Sequence, residues 1–276
     1  MTTTRRERAL QRVEEVAAAA KKSTGWYNAW ILFRREIKRF MVIVGQSIVS
    51  PVITTMLYFL VFGFSLGSQL KQMAGIPYMD FLTPGLVMMA LINNSFINSS
   101  FSFFLTKVHG SVVDILVSPL SNLQIMTAYT AASLVRALIT SGIIWGIAAA
   151  FGAGTTAHPL VALAFMVVVS SAFSLFGLAT AVVSREFEHV NFVPSFVVVP
   201  CTFLGGVFYS VTNLPDPWST VARFNPFLYM VNGIRYGMAG VSDVPLWGST
   251  LVSLGFLFVS GLAAWWLLTI GKNLRD

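Results

Sequence analysis

Charge is scarce in this sequence. Of its 276 residues 11% are Asp, Glu, Lys or Arg, and 55% are hydrophobic. A soluble domain carries about 25% charged residues, so the composition places the chain among membrane proteins. There is one cysteine, Cys201, which excludes an intrachain disulfide. It sits in an apolar run and reads as a small packed residue. The three histidines, His109, His158 and His189, are scattered without metal-ligand spacing. The chain has no G-x-x-x-x-G-K-[ST] phosphate loop and no H-E-x-x-H, so it lacks the motifs for holding ATP or for zinc proteolysis. Ser68-Gln-Leu-Lys71 matches S-x-x-K by chance, without partner motifs. None of the eleven acids falls well inside an apolar stretch, which counts against a proton-coupled carrier.

What is present is a set of long apolar runs. About twenty residues of helix cross the roughly 30 Å of hydrocarbon. Six stretches qualify: 41–66, 81–105, 124–151, 160–183, 192–211 and 247–270. Lipid offers no hydrogen-bond partners, so each is expected to be helical, including the β-branched run 196–199.

The net charge of +7 is concentrated at one end, with ten of the eighteen basic residues before residue 40. Clustered beside an apolar span and lacking a folded basic domain, they argue for a cytoplasmic flank and against nucleic-acid binding. With the N-terminus inside, the inner segments hold fourteen basic residues and the outer loops three, Lys71, Arg223 and Arg235. Both termini are therefore expected to be cytoplasmic. Because the first forty or so residues are polar, the first span is expected to act as an uncleaved signal-anchor.

The chain divides into a polar tail over 1–24, helical or disordered, an amphipathic segment over 25–40, and a six-span domain over 41–276. In the second part Trp26, Trp30, Phe33, Ile37 and Phe40 recur at helical spacing, with Arg34, Arg35, Lys38 and Arg39 on other faces. This pattern predicts a helix lying in the membrane interface. Residues 212–246 are too apolar for a solvated loop and too interrupted by Pro215, Pro217, Pro226 and Pro245 for a seventh span. Short re-entrant helices, packed on protein, are expected there. The fold class is thus all-α membrane protein.

Four features could carry function. Gln46, Ser50, Thr54 and Tyr58 recur every four residues on one face of the first span, and Asn94, Asn98 and Ser102 do so in the second. Such stripes line a path or glue helices together. Pro51 predicts a kink inside the first. Arg136 lies near the middle of the third span, costing about 3 kcal/mol unless it faces protein, water or phosphate. It either meets an anionic headgroup or is tied to carbonyls and to Asn93, Asn94 or Asn98. The loop from Lys107 to Ser121 is unusually apolar, at Val112, Val113, Ile115, Leu116 and Val117. It presents a face either to a partner or to the inner leaflet.

Three segments carry a resemblance: Gly110-Ser-Val-Val-Asp-Ile-Leu-Val-Ser-Pro-Leu-Ser121; Val193-Pro-Ser-Phe with Phe203-Leu-Gly-Gly-Val-Phe-Tyr-Ser210 and Leu214-Pro215; and Phe224-Asn-Pro-Phe-Leu-Tyr-Met-Val-Asn-Gly-Ile-Arg-Tyr-Gly237. Arg136 within Ser-Leu-Val-Arg-Ala-Leu adds to them. From about residue 26 onward the chain resembles the ABC type-2 transporter permeases, in the branch of nodulation-factor and polysaccharide exporters. The resemblance implies a non-catalytic inner-membrane subunit, a homodimer in contact with membrane lipids. ATP and Mg would be bound by a separate ATP-binding cassette subunit, with no cofactor in this chain. It implies coupling to that subunit through Lys107, His109, Asp114 and Pro119. It also implies a path at the dimer seam, with Gln46, Ser50, Thr54 and Tyr58 facing Phe196, Val199 and Phe203. Relatives often carry two consecutive acids in the coupling loop; here the pair is Val113-Asp114, which shifts docking toward the basic residues. An ion-coupled carrier or channel and a lipid-modifying enzyme are the rival readings. An intramembrane acid would mark the first and a nucleophile–base pair the second.

Overall fold

The computed structural model of the protein describes residues 25–69, 72–110, 112 and 120–271. The tail over 1–24, Asp114 and Pro119 lie outside the described residues.

Helix α1 (Gly25–Val42) precedes six helices long and apolar enough to cross a membrane. Span one, Gly45–Gly63, is π-helical at both ends around a central α2 (Ser50–Tyr58). A two-residue hairpin, β1 (Gln72–Met73) with β2 (Ile76–Pro77), leads into span two, α3 (Tyr78–Val108). Span three is α4 (Asn122–Ala150) and span four is α5 (Pro159–Val183). Span five is α6 (Phe187–Val193), a π segment (Pro194–Val198) and α7 (Val199–Leu204). Two helices, α8 (Trp218–Phe224) and α9 (Pro226–Ala239), precede span six, α10 (Leu246–Ile270).

Six spans were expected and six are present. The fifth differs most, starting at Phe187 and stopping at Leu204 instead of covering 192–211. Its stop follows from Gly205-Gly206: Gly206 takes φ +76°, a left-handed conformation that ends a helix cheaply only at glycine. Span three starts with a capping box. Ser121 Oγ accepts from the Gln124 amide, and the Gln124 side chain accepts from the Ser121 amide.

Span two is the hub, packed against spans three and four and against α9. In its most apolar stretch 78% of residues are buried, against 28%, 22% and 22% in spans one, five and six. Lipid tails and leucine side chains are equally apolar, so helices in a bilayer associate through small residues and hydrogen bonds. Both are present at this seam. Ser95 donates to Ser170 at 2.8 Å, Ser99 meets Ser174 at 2.5 Å and Ser133 at 2.9 Å, and Asn98 donates to Ser133 at 2.9 Å. At Gly177 a Cβ would sit 2.5 Å from the Phe96 carbonyl, so span four approaches span two as closely as backbone permits. Within the stripe of span two, Asn98 is spent on joining helices.

The face that α1 docks is rotated from the aromatic stripe. Ala29, Leu32, Glu36 and Phe40 are buried, while Trp26, Tyr27, Trp30 and Ile31 are exposed. The rotation is possible because Glu36, the lone acid in Arg34-Arg-Glu-Ile-Lys-Arg39, finds a partner on span two in Ser102.

Candidate functional site

At the α1 end of the bundle a polar chain joins four elements. Glu36, with 1% of its side chain exposed, pairs with Arg39 at 3.1 Å and Arg35 at 3.2 Å. It also accepts a short hydrogen bond from Ser102 of span two. Arg35 reaches Tyr129 of span three at 3.2 Å. Arg39 donates to the Asn98 side-chain oxygen at 3.2 Å. That oxygen also accepts from Arg136 Nη1 at 3.2 Å, and Arg136 Nε donates to the Ser47 carbonyl of span one at 3.2 Å. A buried charge is costly unless it is paired or hydrogen-bonded. Here one carboxylate serves two guanidiniums, and the third, Arg136, is held by neutral oxygens. Of the three asparagines considered as its partners, Asn98 is the one it meets. Asn94 donates to the Ala90 carbonyl and Asn93 to the Met89 carbonyl of their own helix.

Glu36 escaped the sequence reading because a carboxylate in a basic run looks like a solvated i,i+3 pair. Its flanking arginines were legible, but its burial against Ser102, 66 residues away, was not.

Lys107 stands at the end of span two. Its ammonium donates to the carbonyls of Ser184 at 2.7 Å and Val182 at 3.3 Å, capping the negative end of span four. This cation is engaged by the chain's own backbone. His109 is exposed, its Nδ1 2.7 Å from the Leu105 carbonyl. Val112 is buried with Leu32, Phe103 and Phe104. At this position the apolar loop thus faces neither partner nor leaflet but the protein's own core.

The polar row of span one is uncovered. Gln46, Ser50 and Thr54 are exposed, whereas Ser47 and Thr55 of the same helix are buried. Span five likewise exposes Asn191 and Ser195 beside Phe196, with Val199 and Phe203 half-buried. Span six makes the contrast: its exposed residues from Leu251 to Trp266 are largely hydrocarbon, and Ser253 and Ser260 are turned inward. Such a face suits lipid. Polar groups on a hydrocarbon-facing surface do not, and require water or protein over them.

Spans one and five are also where all three π segments among the described residues lie. Each π turn carries an extra residue, weakens the hydrogen-bond ladder and recurs at functional sites. Proline accompanies them, Pro51 just after the first and Pro194 and Pro200 around the third, because proline removes an amide from the ladder.

Toward their far ends the two spans meet in an aromatic cluster. Tyr58 lies 6.2 Å from Phe62, 6.3 Å from Phe203 and 6.0 Å from Phe208. Phe208 stacks on Phe203 at 5.1 Å and approaches Phe62 at 4.4 Å. Tyr58 and Phe203 belong to the expected path; Phe62 and Phe208 were missed, since an aromatic in an apolar run gives no signal of its own. Phe196 stands apart from this cluster, stacked on Phe192 at 4.8 Å. Beside span one a cavity of about 270 Å³ is walled by Ile53, Met56, Leu57, Phe59, Leu60, Ile147 and Phe151. Among the described residues no group of three or more His, Cys, Asp or Glu is placed to hold a metal.

The Phe224–Gly237 motif has a structural reason at almost every polar position. Asn225 caps α9 through the Phe227 amide and donates to the Cys201 carbonyl at 2.6 Å. Asn232 accepts from the amides of Asp243 and Val244 and donates to Ser249. Gly237 lies where a Cβ would be 2.5 Å from the Ala162 amide nitrogen of span four. Arg235, expected in an outer loop, is fully buried. It donates to the Gly206 carbonyl at 2.5 Å, sits 3.5 Å from Asp243, and covers the Phe81 ring at 3.9 Å.

Residues 27–239 match the family described as "ABC-2 type transporter". The chain is 38% identical over 252 residues to the "Inner membrane transport permease YadH" of Escherichia coli (strain K12), covering 91% of this chain and 98% of that protein. It is 24% identical over 229 residues to "Nodulation protein J" of Rhizobium leguminosarum bv. trifolii, covering 82% and 86% respectively. Over 226 residues it is 24% identical to the protein of the same name in Rhizobium meliloti (strain 1021), covering 82% and 85%.

Proposed function

The chain belongs to the ABC-2 type transporter family, and from that premise we propose that it is the inner-membrane permease subunit of an ATP-driven exporter, moving an amphipathic compound such as a lipid-linked glycan or a lipid. The observation that carries this reading is the pair of uncovered polar faces on spans one and five. A second copy placed there would cover both rows and enclose a path between them. Hydroxyls and an amide at Gln46, Ser50 and Thr54, with rings at Tyr58 and Phe203, suit a polar headgroup. The apolar cavity beside span one suits an acyl chain. The α1 end is the cytoplasmic one, as the basic residues there argue, and α8 and α9 dip into the outer leaflet as re-entrant helices. Inward- and outward-closed packings then differ by a few kcal/mol, which ATP binding in the partner can offset.

Co-purification tests this directly. An ATP-binding subunit should accompany the permease, and the complex should hydrolyse ATP while the isolated chain does not. Turnover by the chain alone, or no such companion, overturns the reading. Within the complex, Asp114→Lys is expected to leave assembly intact while uncoupling hydrolysis from transport; undiminished export in vesicles would remove the loop from the coupling role. Lipid mass spectrometry of the purified complex identifies the compound to follow. With that compound, Tyr58→Ala is expected to shift kcat or KM about threefold or more; identical kinetics would assign the row to helix packing. An ion-coupled carrier finds less support: the buried acids Glu36 and Asp243 are each paired with guanidinium groups outside the six spans.

A further inference from the structure

In an α-helix each carbonyl receives the amide four residues ahead. Proline has no amide hydrogen, so a proline inside a helix leaves the carbonyl four residues before it without its donor. In the α register Pro51 does this to Ser47, and in the five-residue register of a π turn to Gln46. Both lie in the first turn of span one, Gln46 exposed and Ser47 buried, so it is the Ser47 carbonyl that cannot turn to water. The turn before Pro51 is the π segment Gly45–Val49, in which the Ser50 amide reaches back five residues to Gly45. The Ser47 carbonyl is the acceptor that Arg136 Nε meets at 3.2 Å. The rest of that guanidinium leads to Asn98, whose oxygen it shares with Arg39, which is paired with Glu36 of α1.

We infer that Arg136 is a positioning residue that supplies the hydrogen bond Pro51 withholds, so that the joint in span one is set by α1 through the relay Arg39–Asn98–Arg136–Ser47. The relay rests on the exporter reading for its input, a displacement of α1 or its surroundings by the ATP-binding partner. The substitution of a side-chain donor for a missing amide does not. This role accounts for a cation kept in a span with no acid to neutralise it: a guanidinium reaches two acceptors on different helices in one fixed fork.

Hydrogen exchange over residues 45–55 of the full chain tests the first part. Arg136→Met is expected to speed exchange there about tenfold, as the loss of one charge-assisted hydrogen bond allows. In a Pro51→Ala background the new amide supplies the donor, and the same replacement should change exchange less than about threefold. An equal effect in both backgrounds overturns the proposal. Should Arg136→Met fail to fold, Pro51→Ala alone decides: the amide it introduces must be protected, and an unprotected one shows that the carbonyl was not waiting for a donor. The second part needs the complex with the ATP-binding subunit, nucleotide-free and trapped with ATP and vanadate. The wild type should differ at least threefold over 45–55 between the two states, and Asn98→Ala should erase the difference. A nucleotide-insensitive wild type, or an Asn98→Ala variant that still responds, overturns the relay. If no ATP-binding subunit joins the chain, the exporter reading falls, while the exchange cycle in the isolated permease still decides the role of Arg136.

Discussion

Replacement of Arg235 by methionine is expected to destabilise the protein by about 3 kcal/mol, the cost of leaving half of a buried ion pair behind. The guanidinium is wholly buried, and three elements converge on it: the Gly206 carbonyl after span five, Asp243 before span six, and the Phe81 ring of span two. Methionine fills most of the volume but donates nothing. Asp243 keeps the Ser210 hydroxyl at 2.7 Å and the Val211 amide at 3.2 Å, so it is weakened rather than stripped. The ion pair itself is loose, which is why the lower end of the usual range applies. Asp243→Asn in the same chain removes the orphaned charge, so the double variant should recover part of the loss. Thermal unfolding in detergent reads both. An unchanged midpoint for Arg235→Met would mean that α9 and the segments around it are held without this tie.

The second large effect is expected at Glu36. Glu36→Ala removes the carboxylate between Arg35 and Arg39 and takes away the acceptor of the Ser102 hydroxyl. Arg35 is 45% exposed, so water screens much of its share. The buried hydrogen bonds remain the larger loss, about 2 kcal/mol, or roughly thirtyfold in the opening of α1. The effect should be local. Exchange over residues 29–40 should rise by that factor, while the seam between spans two and four stays protected. Glu36→Gln, which still accepts from Ser102, should lie between the two. Unaltered exchange in the alanine variant would show that Leu32 and Phe40 dock the helix by packing alone.

Both sites bear on what a sequence can disclose. The six spans were legible because the bilayer imposes one requirement, a long apolar run with its hydrogen bonds closed within the helix, and that requirement is written locally. Charges were legible as problems but not as solutions. Arg136 had to find an acceptor inside the membrane; that a proline 85 residues earlier had prepared one became visible only when spans one and three were side by side. Lys107 is given a coupling role only by the resemblance, and its acceptors, carbonyls 75 and 77 residues on, are not written near it in the sequence. Arg235 was placed in an outer loop by its position between spans, and folding buries it. The stripes divided in a way no periodicity could foretell. Asn98 and Ser102 join helices, while Gln46, Ser50 and Thr54 stay uncovered on the surface of the single chain.

At 31 residues, α3 is about 46 Å long at 1.5 Å per residue, well beyond the roughly 30 Å of hydrocarbon. Most other helices of the bundle lean on this one rod, so its overhang fixes the height at which they stand in the bilayer. A thinner membrane would lay more of the rod bare, and a thicker one would draw its lysine-bearing tip toward the headgroups. The protein thereby carries its own ruler, and the depth at which the aromatic cluster of Tyr58, Phe203 and Phe208 sits depends on the lipids in which the ruler is set.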